Sequence, residues 1–296
     1  MTLLLRGRTL TFVTEPETID DRASYRYHED GGVLIDGGRI VATGDFAPLA
    51  SGIGSQAEVI DHRPHLVLPG FIDAHVHMPQ MQVIASYGAE LLDWLNNYTF
   101  PEETRFRDAQ HGRRIARLFL DQMILQGTTT VAAYCTVHKA SAEAFFAEAL
   151  SRDMRVIAGK CLMDRNAPEG LTDTAKSGYD DTRALIAEWH GRGRLHYAIT
   201  PRFAITSTDE QMEAAGALAR EFPDLHVQTH LSENRAEIDY TQELFPWSTD
   251  YTDVYERYGL LGARTLFGHC IHLSEREADA LSDSGSVAVF CPTSNL

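Results

Sequence analysis

The chain has 296 residues, 44% of them hydrophobic and 23% charged, the balance of an ordinary globular protein able to bury a large core. Forty-two acidic residues against 26 basic ones leave a formal net charge of −16, which repels phosphate backbones and anionic lipid and argues against nucleic acid or membrane as a partner. No basic, apolar leader opens the sequence, and no apolar run reaches the ~18 residues of a membrane span.

Residues 1–66 read as a small strand-rich domain. Thr2–Val13, Gly31–Ile35 and Arg39–Thr43 are β-prone runs, and Asp36-Gly37-Gly38 between the last two is a hairpin signal. From about residue 67 to 296 apolar runs alternate with amphipathic stretches. The runs are Leu66–His77, Thr128–Cys135, Arg155–Met163, Leu195–Arg202, Leu225–Leu231, Arg264–His269 and Ser286–Cys291. Helices are expected over Arg107–Gln126, Ala140–Arg152, Asp180–Gly191, Asp209–Glu221, Arg235–Leu244 and Ser274–Asp283, with Thr208 and Ser274 as starts followed by acids. Strand and helix in alternation predict a parallel α/β sheet, and the length suits a (β/α)8 TIM-type barrel. Only seven barrel runs can be counted, and Cys291-Pro-Thr-Ser-Asn-Leu296 follows the seventh directly. The expectation is therefore a barrel truncated after strand seven, with its last strand missing.

Three of the runs end in histidine. His75-Val-His77 closes the first, His230-Leu-Ser-Glu233 follows the fifth, and His269 closes the sixth. Residues two apart on a strand face the same way, so His75 and His77 can serve one ion together. Neutral imidazole is a common zinc ligand, and three protein nitrogens with open positions describe a catalytic site. The plainer readings are a histidine pair facing a polar pocket and, for His269, a satisfied strand-end histidine. Glu233 reads either as an acid opening the next helix or as a proton carrier beside an ion. Cys135, Cys161, Cys270 and Cys291 form no CxxC pair, which fits buried thiols in a reducing cytosol and a cytoplasmic location.

His-x-His at the end of a first barrel strand, with later histidines after the fifth and sixth, resembles the amidohydrolase superfamily. Within it, several stretches resemble the guanine deaminases: Pro69–Gln80, Gly159–Pro168, Pro201–Ser207, Thr229–Asn234, Gly268-His269 and Cys291–Asn295. The resemblance covers essentially the whole chain. It implies a small N-terminal β-sandwich beside the barrel, one Zn2+ per subunit held by His75, His77 and His230, and catalytic roles for Glu233 and His269. It implies that Gln80, Arg202 and Phe203, together with His77 and His230, contact a purine base. The implied activity is hydrolytic deamination of guanine to xanthine and ammonia, and the resemblance also suggests a homodimer. A fourth ligand, an aspartate after an eighth strand, has no counterpart here, since no acidic residue follows Cys291. Little activity and weak zinc retention are therefore expected of these 296 residues.

Two alternatives stand beside this reading. One is a related amidohydrolase acting on a pterin, an S-adenosylhomocysteine-type nucleoside or a triazine; the other is an inactive fragment. Lys160 raises a two-metal possibility, because some superfamily members carry a carboxylated lysine. The separate carboxylate of Glu233 argues instead for a lysine that caps its strand. His28, His62, His111, His190 and His272 are expected at the surface, and His138 and His226 receive no role.

Overall fold

Glycine turns and β-prone runs near the N-terminus produce strands β1 (Thr2–Phe12), β2 (Tyr25–Asp36), β3 (Arg39–Asp45) and β4 (Glu58–Val67). The computed structural model describes residues 1–54, 57–86 and 91–295, in two units, Met1–Gly70 and Phe71–Leu296. In the first unit the strand order is β3-β2-β1-β4; β1 pairs antiparallel with β2 and parallel with β4. Gly37 (φ 55°) and Gly38 (φ 77°) close the β2–β3 hairpin in left-handed backbone, as a two-residue turn requires. The sequence led us to expect a sandwich; the described residues form one sheet. A helix, Phe46–Gly52, supplies cover: Leu49 and Phe46 lie against Gly32 of β2, beside Leu4 of β1.

The second unit is the barrel. Its strands are β5 (Phe71–His77), β6 (Thr128–Tyr134), β7 (Arg155–Gly159), β8 (Cys161–Leu162), β9 (Leu195–Pro201), β10 (His226–Leu231), β11 (Thr265–His269) and β12 (Val287–Val289). They run parallel in the order β5-β6-β7-β9-β10-β11-β12, with β8 also on β9. Strands covered on both faces are apolar nearly throughout, and in β9 Leu195, Tyr197, Ala198 and Ile199 are wholly buried. The helices follow the strands with one apolar side. Helix Ala109–Leu125 buries Ile115, Ala116, Phe119 and Leu120, a spacing that keeps to one face. No helix among the described residues is long and apolar enough to cross a membrane.

Several expected elements are re-cut. The run Leu66–His77 is two strands in two units, because Leu68-Pro69-Gly70 interrupts it and proline cannot donate to a ladder. Arg155–Met163 breaks at Lys160, whose ammonium is buried and paired with Asp173 at 2.5 Å. This is a strand-end lysine, but one satisfied inside the protein. The third barrel helix begins at Ala175, five residues before the expected start; Thr174 caps it with Ser177 as the reciprocal partner, in place of the usual Glu or Gln. Helix Tyr251–Arg257, capped by Asp250, was not expected. His111 is buried and not at the surface, its Nε2 3.0 Å from Glu102 Oε1 and its ring against Phe106. His62 is exposed, whereas His28, His190 and His272 are half-buried.

Candidate metal centre and substrate pocket

The ends of β5, β10 and β11 bring four imidazoles together. Ring centroids are 5.3 Å apart for His75 and His77, 4.6 Å for His75 and His230, 4.9 Å for His75 and His269, and 5.0 Å for His77 and His230. The ligand atoms of His75, His230 and His269 lie within 4.8 Å of one another, and His77 Nε2 is 2.9 Å from His230 Nε2. Gly268 allows this closeness. A Cβ there would stand 2.4 Å from the His75 ring, so only glycine lets β11 pass so near.

Hydrogen bonding sets the tautomers. His230 Nδ1 is 2.7 Å from the carbonyl of Arg202, which can only accept, so Nδ1 carries the proton and Nε2 presents its lone pair. His269 Nδ1 is likewise held by Asn295 Oδ1 at 3.1 Å. Burial pushes His75 down to about 3, helped by His269 and Arg202, and drives His77 and His230 well below the usual imidazole range. All are neutral at pH 7, the state in which histidine binds a metal.

This donor set fits a metal ion. Two nitrogens sharing one ion at ~2.0–2.1 Å stand roughly 3 Å apart, as His77 and His230 do. His77 is otherwise hard to satisfy, for its Nδ1 is buried without a partner among the described residues. If Nε2 donates to His230, Nδ1 is a stranded lone pair; if Nε2 is itself a lone pair, only a cation between the rings reconciles them. Asp73 shares the face of His75 and His77 but accepts from the backbone N–H of His75 at 3.1 Å and is outside the cluster.

Glu233 follows β10 just after Ser232, whose φ of 52° turns the chain over the strand end. Its Oε2 lies 3.3 Å from His269 Nε2. Burial, and next the charge of Glu237, raise its carboxyl to about 8. Glu237 also fixes the loop, accepting from the backbone N–H groups of Glu233 (2.9 Å) and Asn234 (3.1 Å).

Arg202 and Phe203 follow β9, and the Phe203 ring is 6.2 Å from that of His230. Gln80 lies in the short 3-10 helix Met78–Val83 after β5. His75, His77, Gln80, Arg202, Phe203, His230, Glu233 and His269 all line one cavity of about 1640 Å³. Sequence reasoning missed two neighbours of this group. Tyr134, the last residue of β6, stacks on His77 at 4.5 Å; its place at a strand end was the available signal. Glu103, wholly buried, binds Arg202 Nη1 at 2.6 Å, and nothing in its local sequence announces a partner 99 residues away.

Known proteins share this arrangement of strands. The chain is 45% identical to guanine deaminase of Escherichia coli (strain K12) over 97% of its length and 66% of that protein's. The crystal structure of guanine deaminase from Bradyrhizobium japonicum superposes with a TM-score of 0.96 at 39% identity, covering 99% of this chain and 64% of that one. The guanine deaminase of C. acetobutylicum, solved with guanine bound in its active site, gives 0.90 at 31% identity, covering 100% of this chain and 68% of that one. The chain thus spans about two thirds of the length of these relatives. The profile described as "Amidohydrolase family" matches residues 66–296. By that match, the chain belongs to the amidohydrolase family.

Proposed function

We propose that the protein hydrolyses guanine to xanthine and ammonia, with one zinc ion per subunit held among His75, His77 and His230. One observation carries this reading: the carboxyl of Glu233 stands 3.3 Å from His269 in the cavity that the other histidines line, where a proton carrier is needed. The similarity to guanine deaminases, one of them solved with guanine bound, supports the choice of substrate. When bound, zinc supplies Lewis acidity that makes a water available as hydroxide near neutral pH.

The chain's own residues do the rest. Glu233, favoured in its ionised form beside a cation held by the histidines, takes a proton from the attacking water and delivers it to a ring nitrogen beside C2, lowering the barrier to addition. Oxygen bonds to C2, and His269 hydrogen-bonds at that centre. The remaining proton of the added hydroxyl passes through Glu233 to the exocyclic amine, C2=O forms as the C2–N bond breaks, and ammonia leaves; guanine plus water becomes xanthine plus ammonia. Phe203 offers a face for stacking, Arg202 donates to the O6 carbonyl, and Gln80 meets the ring edge.

Ammonia release and xanthine absorbance, followed with guanine, adenine, a pterin and S-adenosylhomocysteine, test the proposal. What turnover the chain supports should fall on guanine, at a low rate, and Glu233→Gln should slow it by roughly 10²–10⁴-fold at unchanged zinc content. Turnover of another compound with guanine inert would overturn the substrate. An undiminished Glu233→Gln rate would overturn the proton carrier.

A further inference from the structure

We propose that Glu103 is a positioning residue for base recognition: it turns Arg202 and Gln80 into a paired donor and acceptor that match the O6 and N1–H edge of a 6-oxopurine. This rests on the reading of Arg202 and Gln80 as base-contacting residues. Glu103 belongs to the short helix Phe100–Thr104, between β5 and the first long barrel helix, and does not line the cavity. Its side chain has no exposure, and that of Arg202 is 3% exposed. A buried carboxylate needs partners, and it takes two that do face the cavity. Oε2 accepts from Arg202 Nη1 at 2.6 Å, and Oε1 lies 3.5 Å from Gln80 Nε2, a long contact in which the acceptor-only carboxylate favours the NH2 end of the amide.

The consequences are chemical. Held at Nη1, and with Phe100 of the same helix 5.6 Å from its guanidinium carbon, Arg202 has a fixed plane and further N–H groups to give. Because its NH2 end faces Glu103, Gln80 offers its carbonyl oxygen elsewhere. A fixed donor next to a fixed acceptor suits C6=O beside N1–H. Adenine and 2-aminopurine carry a bare lone pair at N1 and no carbonyl at C6, so they mismatch both. A buried ion pair could serve stability alone, and Lys160 with Asp173 is such a pair away from the cavity. It provides the internal control.

Competition between guanine and fluorescent 2-aminopurine for the zinc-loaded chain, read in the Glu233→Gln background so that guanine is bound and not consumed, decides the matter. With Glu103 in place, the chain should prefer guanine. Glu103→Gln should reduce that preference by at least about tenfold at unchanged zinc content. Asp173→Asn should lower thermal stability and leave the preference alone. If Glu103→Gln fails to fold, Glu103→Asp, which keeps the charge on a shorter arm, should still reduce the preference. In an Arg202→Met background, Glu103→Gln should add little, since the two act as one unit. An undiminished preference in folded Glu103→Gln or Glu103→Asp overturns the inference while leaving the proposed activity standing. A chain with Glu103 in place that binds both bases equally removes the reading of Arg202 and the inference with it.

Discussion

A neutral imidazole has one donor and one acceptor nitrogen, so whatever binds the first decides what the second can do. For His230 that binder is the carbonyl of Arg202, a backbone atom, so replacing the arginine side chain leaves the tautomer alone. Space around the rings is set as tightly. A Cβ at Gly268 would meet His75 Cε1 at 2.4 Å and Nδ1 at 2.5 Å, so the ring or the strand would have to shift. Gly268→Ala should therefore weaken zinc binding by about 10- to 100-fold, as disturbed ligand orientation does, read by competition with a chelator. Equal affinity in the variant would mean that the ring is not held where the structure places it. The strand-end placement of the histidines was legible in the sequence, because their residue type names their chemistry and a strand end gives their direction, whereas roles for His269 and Glu233 came from the family resemblance. Glu103 and Tyr134 could not be weighted in that way. Glutamate and tyrosine are ordinary at such positions, and their importance lies in contacts with Arg202 and His77 across the fold.

Elements were legible where a local signal and the tertiary environment agree. Helices Asp209–Glu221 and Arg235–Leu244 begin and end where capping and periodicity say they should, with Thr208 and Asn234 as caps. The disagreements have physical causes. Hydrophobicity alone joins Leu66 to His77, and the break arises from a proline in a segment that passes from one unit to the other. Lys160 ends β7 because a buried ammonium must reach Asp173, a partner that periodicity cannot see. Helix Glu275–Ser284, which leads from the His269 strand to β12, is secured at its start by a reciprocal cap. Ser274 Oγ accepts from Glu277 N at 3.3 Å, and the Glu277 carboxylate accepts from Ser274 N at 2.8 Å and from Thr252 Oγ1 at 3.1 Å. Ser274→Ala should destabilise the fold by about 1 kcal/mol, seen as a lower urea midpoint with an unchanged slope. An unmoved midpoint would show that the cap carries no stability here.

Across the molecule, the barrel turns sequence distance into proximity. His77 and His230 are 153 residues apart in the chain and 2.9 Å apart in space, so an ion bound there ties β5 to β10. Desolvation keeps the cluster neutral, and the same burial would be unfavourable without something to accept the lone pairs. An ion that binds only the assembled site should also stabilise the fold in proportion to its affinity. The convergence of these rings on one cation is the claim from which the proton chemistry of Glu233 and the base recognition by Arg202 follow. X-ray absorption at the zinc edge of the loaded chain measures that convergence directly. The account predicts that zinc, supplied in excess, is bound by several imidazole nitrogens at ~2.0–2.1 Å with no sulfur neighbour. Zinc without imidazole nitrogen neighbours, or with cysteine sulfur at ~2.3 Å, would contradict it.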